Sequence, residues 1–113
     1  MVDDKYFARF KLISVFDQKV HQVLEAENGI AAIQIYKDER PDIVFCDLIM
    51  PEMDGITTLN EMKKINPDVV LIIVTSLGVQ SVLIEALANG AKEVILKPFE
   101  EEHVLNIFHR YIK

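Results

Sequence analysis

The chain has one cysteine, no apolar run long enough to cross a bilayer, and no excess of basic residues. Each shortage excludes something. A lone Cys46 cannot form an internal disulfide, so packing must hold the fold, and a reducing cytoplasm suits it. No apolar stretch approaches the ~20 residues that span a membrane. Lys and Arg number 12 against 18 Asp and Glu, a formal net charge of −6. Nucleic-acid surfaces need clustered cations, so direct nucleic-acid binding is not expected, although a DNA-binding domain on a longer parent chain would be compatible. The opening Met1-Val2-Asp3-Asp4 is acidic at once and lacks the basic-then-apolar layout of a signal peptide. Linkers, repeats and low-complexity tracts are missing as well. The 113 residues therefore read as one soluble cytoplasmic domain, 1–113, with no room for a second core.

What is there alternates. Residues 43–46, 69–74 and 94–96 are short runs rich in β-branched residues, bounded by Pro, Asp, Gly or Lys. Runs of this length suit strands buried on both faces of a parallel sheet. Residues 20–26 carry His21, Gln22 and Glu25 and read as a further strand at the sheet edge. Helical spacing lies between them. Phe7, Phe10, Ile13 and Phe16 recur at three-residue steps, as do Ile56, Leu59, Met62 and Ile65. Gly29 precedes a segment that runs to Glu39 and stops before Pro41, and Asn89-Gly90 ends a helix predicted over residues 79–88. The last helix follows Pro98, with Glu100, Glu101 and Glu102 matching the dipole at its start, and Val104, Phe108 and Tyr111 on its core side. The alternation predicts an α/β fold, doubly wound, with helices on both faces.

In such sheets ligands bind beyond the carboxyl ends of the strands. Asp3-Asp4 follows the first strand, Asp47 the third, Thr75-Ser76 the fourth and Lys97-Pro98 the fifth. Three carboxylates, a hydroxyl and an ammonium should then share one rim. An Asp-Asp pair alone is more often a solvated turn; four polar groups at four strand ends point to chemistry. A carboxylate trio is repulsive unless a cation bridges it, and oxygen donors with open positions suit Mg²⁺. A carboxylate can attack phosphorus to give an aspartyl phosphate, while Thr75, Lys97 and the ion stabilise the transferred charge. The three histidines show no metal-ligand spacing with one another or with Cys46, and are expected at the surface or partly packed. Cys46 precedes Asp47 within a buried strand and is expected in the core. Met50 and Met53 are expected to pack the loop after Asp47.

The segment Asp47-Leu48-Ile49-Met50-Pro51-Glu52-Met53-Asp54-Gly55 resembles the phosphorylation motif of response regulator receiver domains, the family of the chemotaxis response regulator. Val2-Asp3-Asp4 resembles its acidic pair, Glu25-Ala26-Glu27-Asn28-Gly29 its second-strand ending, and Gly90-Ala91-Lys92 with Lys97-Pro98-Phe99 its C-terminal signature. The likeness runs the length of the chain. It implies a flavodoxin-like five-stranded parallel sheet in the order 2-1-3-4-5, for which this family is a standard example. It implies a phosphorylation-dependent switch rather than an enzyme. Asp47 would accept phosphate from a histidine kinase or phosphotransfer protein. Asp4 and Asp47 would ligate Mg²⁺ directly, Asp3 through water, with the Ile49 backbone carbonyl completing the set. Thr75 and Lys97 would close on the phosphoryl group, the Lys97-Pro98 bond would be cis, and the fourth helix, fifth strand and fifth helix would signal to an output domain or target. The apolar segment over residues 77–84 would supply part of that contact. Two other readings compete: a degenerate receiver acting as a phosphate-independent interaction module, and an aspartyl-nucleophile phosphohydrolase. The latter normally carries an acid two residues after the nucleophile, where this chain has Ile49.

Two departures from the family pattern stand out. Val94 occupies the place of the aromatic ring that usually turns inward on activation, so weaker coupling to the outer face is expected. Only Met1 and Val2 precede the acidic pair, so the first strand reads as truncated, leaving neighbouring strands partly unpaired and an α-ammonium within the sheet. Strand exchange or a homodimer would follow.

Overall fold

A computed structural model describes residues 1–17, 21–50, 52–76 and 80–112. The three most apolar runs form the strands expected of them: β1 (Val44–Cys46), β2 (Leu71–Thr75) and β3 (Glu93–Leu96), parallel and in that order. The register sets Val44 opposite Leu71 and Ile72 opposite Glu93. Alternation sends Val44, Cys46, Leu71 and Ile73 to one face and Phe45, Ile72, Val74 and Ile95 to the other, and both faces are covered.

Helices α2 (Gly29–Glu39), α3 (Gly55–Ile65) and α4 (Gln80–Ala88) bring residues of the first core, among them Ala32, Tyr36, Leu59, Met62 and Ala86. Helices α1 (Tyr6–Ile13) and α5 (Glu101–Tyr111) cover the second with Leu12, Val104, Ile107 and Phe108. Ile72, Ile73 and Val74 are wholly buried. Full burial of such a side chain contributes about 1.5–3 kcal/mol, so β2 is the centre of the molecule energetically as well as geometrically. Local caps and turns end the helices. Asn28 and Asp54 accept hydrogen bonds from Ala31 and Thr57 at the starts of α2 and α3, and Gly90, at φ +114°, turns the chain out of α4. Among the described residues no helix is long and apolar enough to cross a membrane.

The expected first and second strands contract. In place of two ladders there are single parallel bridges, Val2 to Ala26 and Val2 to Cys46. The order Ala26, Val2, β1, β2, β3 still reproduces 2-1-3-4-5, so the doubly wound fold stands, but regular strands number three rather than five among the described residues. Residues 22–25 form no strand ladder, and residues 18–20 lie outside the described set. The short segment is nevertheless better bonded than expected. Val2 N–H donates to Phe45, its carbonyl accepts from Asp47, Met1 accepts from Ala26, and Asp3 N–H donates to the Ala26 carbonyl. The α-ammonium does lie within the sheet, donating to the Leu24 carbonyl at 2.9 Å, and burial lowers its pKa.

Helix α1 also departs from its pattern. Phe7 and Phe10 face solvent, 82% and 59% exposed, while Leu12 and Ile13 are buried. Three-residue steps advance 300° each, so the stripe drifts around the helix, and only its later members meet the core.

Candidate functional site

The carboxyl ends of the strands meet as the fold requires. Val2 sits beside Cys46, so Asp3 and Asp4 emerge next to Asp47, and one oxygen from each of the three carboxylates lies within 4.8 Å of the others. Thr75 ends β2 and is buried, and its carbonyl accepts the Lys97 N–H at 2.9 Å, drawing the next segment onto the same rim. The Lys97-Pro98 peptide is cis, as expected.

Local chemistry places each acid. Asp3 is completely buried; its Oδ2 accepts from Lys97 Nζ at 2.7 Å and its Oδ1 from the Lys5 N–H at 3.0 Å. Asp47 is nearly buried, its Oδ1 accepts from the Leu48 N–H at 2.8 Å, and its Oδ2 lies 3.8 Å from Lys97 Nζ. Lys97 is thus seated on Asp3, with Asp47 second. Asp4 is the exposed member of the trio. Burial raises the Asp47 carboxyl above its ordinary pKa; Lys97 pulls it back, Asp3 adds to the rise, and the N–H groups of Leu48 and Ile49 oppose it. Gly55 is required beneath: its N–H donates to the Leu48 carbonyl at 2.8 Å, and a Cβ there would stand 2.5 Å from the Asp47 carbonyl oxygen.

The other expectations divide. Cys46 is fully buried, a free thiol that donates to the Asp47 carbonyl at 3.3 Å, Met50 is buried, and Met53 packs against Gly29. His103 and His109 are exposed and His21 half-buried, and the aspartate trio is the one candidate metal cluster among the described residues. Ile49 is 60% exposed at the mouth of the site. Val94 packs against the first core. Arg9 escaped the sequence reading. Its Nη1 donates to the Asp3 backbone carbonyl at 2.7 Å and its Nε to Glu25 at 3.2 Å. A single Arg on an amphipathic helix gives no signal that it turns inward.

Comparison with known proteins decides the family. Residues 1–109 match the model of the response regulator receiver domain. The chain belongs to the response regulator receiver family. As a receiver it is 40% identical over 111 residues to the chemotaxis protein CheY of Bacillus subtilis, covering 97% of this chain and 92% of that one. It is 36% identical to the sporulation initiation phosphotransferase F of the same organism, covering 99% and 90%. Among solved structures, the CheX-CheY-BeF3-Mg²⁺ complex from Borrelia burgdorferi aligns with a TM-score of 0.89 at 32% identity, covering 99% of this chain and 87% of that one. The receiver domain of NtrX from Brucella abortus aligns at 0.91 and 25%, covering 98% and 94%. The receiver's donor set fits a hard divalent cation: three carboxylates, one of them open to solvent, with no thiolate or imidazole in the cluster among the described residues to favour a softer metal.

Proposed function

We propose that this receiver is a phosphorylation-dependent cytoplasmic switch in which Asp47 accepts a phosphoryl group from a phosphohistidine on a sensor histidine kinase or phosphotransfer protein. The observation that carries this reading is the position of Asp47. It is the nearly buried member of a carboxylate trio, and it lies 3.8 Å from an ammonium at the carboxyl end of a parallel sheet. An Asp47 carboxylate oxygen attacks phosphorus, the phosphorus–nitrogen bond breaks, and its electron pair leaves with the imidazole. The product is an acyl phosphate. Asp4, Asp47 and the Ile49 backbone carbonyl would hold Mg²⁺, with Asp3 behind them. When bound, the ion supplies neutralisation of the carboxylate repulsion and of charge on the transferred oxygens. Lys97 moves its ammonium from Asp3 toward the new phosphoryl oxygens, and the Thr75 hydroxyl donates to one of them. The Borrelia CheY structure, whose name records BeF3 and Mg²⁺, supports the same ligand chemistry here.

The output surface in this reading is α4, β3 and α5. Ile84, Leu87 and Leu96 are about half exposed there, more apolar area than a solvent-facing helix and edge strand need. An output domain, a target protein or a second copy of this chain would cover it, while Val94 in place of an aromatic ring limits the coupling to Thr75. The chain would catalyse only its own phosphorylation and dephosphorylation. A phosphohydrolase is disfavoured because Ile49, two residues after the nucleophile, cannot protonate a leaving group.

Incubation with acetyl phosphate and Mg²⁺ tests the reading by intact mass. One phosphoryl group per chain, base-labile and missing in Asp47→Asn, is the expected result. Sustained turnover of acetyl phosphate would indicate the hydrolase, and no adduct the phosphate-independent module.

A further inference from the structure

The three acids differ in how they are held. Asp3 is fixed by Lys97, the Lys5 N–H and the Ala26 carbonyl, and Asp47 by the Leu48 N–H. Among the described residues the Asp4 side chain has no hydrogen-bond or ion-pair partner, so its carboxylate points where its backbone aims it. The sheet's backbone bonds to this segment end at the Asp3 N–H, one residue short of Asp4.

Arg9 supplies the missing constraint. Its side chain is only 14% exposed. Nη1 donates to the Asp3 carbonyl at 2.7 Å, Nε donates to Glu25 Oε1 at 3.2 Å, and the guanidinium lies 5.8 Å from the Tyr6 ring centre. The Asp3 carbonyl belongs to the peptide plane that joins Asp3 to Asp4. A donor fixing that oxygen fixes the rotation of the plane, and with it the direction in which the Asp4 side chain leaves the chain. The guanidinium fork is rigid, and Glu25 anchors its other edge to the residue before Ala26.

We propose that Arg9 is a positioning residue of the metal site, locking the Asp3–Asp4 peptide so that Asp4 presents its carboxylate beside Asp47. The proposal rests on the reading of this site as an Mg²⁺ centre. It carries a sign that plain electrostatics does not. Arg9 is a cation close to the site, so removing its charge alone would tighten binding of another cation. Losing the lock must weaken it.

The test is a titration of the full chain with MgCl2, followed by backbone amide shifts in NMR, alongside thermal melts in EDTA. Arg9→Met, which keeps the apolar stem, should raise the Kd for Mg²⁺ about tenfold, the scale on which outer partners of metal ligands act. Arg9→Gln, with a neutral polar head, should do likewise and guards against a folding failure of the first variant. Glu25→Gln, whose amide oxygen can still accept from Arg9 Nε, keeps both bonds of the fork and should shift the Kd by only a small fraction of the Arg9→Met effect. An unchanged or tighter Kd in folded Arg9→Met or Arg9→Gln overturns the proposal and leaves the metal reading intact. Failure of the unsubstituted chain to bind Mg²⁺ overturns both.

Discussion

Asp3 and Lys97 form the most consequential contact at the scale of single residues. A carboxylate with no solvent exposure is held at 2.7 Å by an ammonium that is itself about one-fifth exposed. Removing one partner of such a pair strands the other, and the desolvation already incurred is no longer offset. Lys97→Met should therefore lower the unfolding free energy by about 2–3 kcal/mol, read by urea denaturation in EDTA. A loss no larger than that of an exposed ion pair would contradict this account. The sequence placed Lys97 at the rim correctly. It could not say which acid the lysine holds, because the choice depends on how closely carboxylate oxygens from two strand ends approach one ammonium.

At the scale of elements, the spacing between α2 and α3 depends on one absent side chain. A Cβ on Gly29 would collide with Thr58 Oγ1 and crowd Met53 at 3.1 Å. Thr58 is fully buried and its hydroxyl donates to the Asp54 carbonyl at 2.8 Å, so it cannot swing away freely. Gly29→Ala should cost about 1–3 kcal/mol despite the better helix propensity of alanine, and pairing it with Thr58→Ala should recover much of that in thermal melts. If Gly29→Ala alone stabilises the chain, the helices have more room than this packing allows. The helices and the stops at Gly90 and Pro41 were legible beforehand because such residues act through their own backbone geometry, whereas the Asn28 and Asp54 caps emerged only with the structure. The face of α1 was not legible. A stripe with three-residue steps fits two orientations, and contacts with Phe45 and Phe108 around Leu12 make the selection.

Across the whole molecule, two cores grip a three-stranded sheet and leave an acidic cluster at one end. A cation bound there acts on the global equilibrium, since the unfolded chain scatters the three acids. Mg²⁺ at ten times its Kd should add about 1.4 kcal/mol of stability and raise Tm by several degrees for a domain of this size. Asp4→Asn should remove most of that shift. An equal shift in Asp4→Asn, or none in the unsubstituted chain, would place the ion elsewhere or nowhere.

The sequence by itself determined the alternation of strands and helices, the parallel sheet and the gathering of Asp3, Asp4, Asp47, Thr75 and Lys97 at one rim. These follow from hydrophobic period and from the rule that all strands of a parallel sheet end on the same side. Only the tertiary structure decided that the short first strand is still bridged on both sides of Val2, that Lys97 rests on Asp3, and that Arg9 reaches back to the Asp3 carbonyl. The first two depend on distances between groups remote in sequence, and the third, between residues six apart, on how α1 lies against the Asp3 segment. Such distances are set by how the helices pack on the two faces of β2, and local pattern carries no record of them.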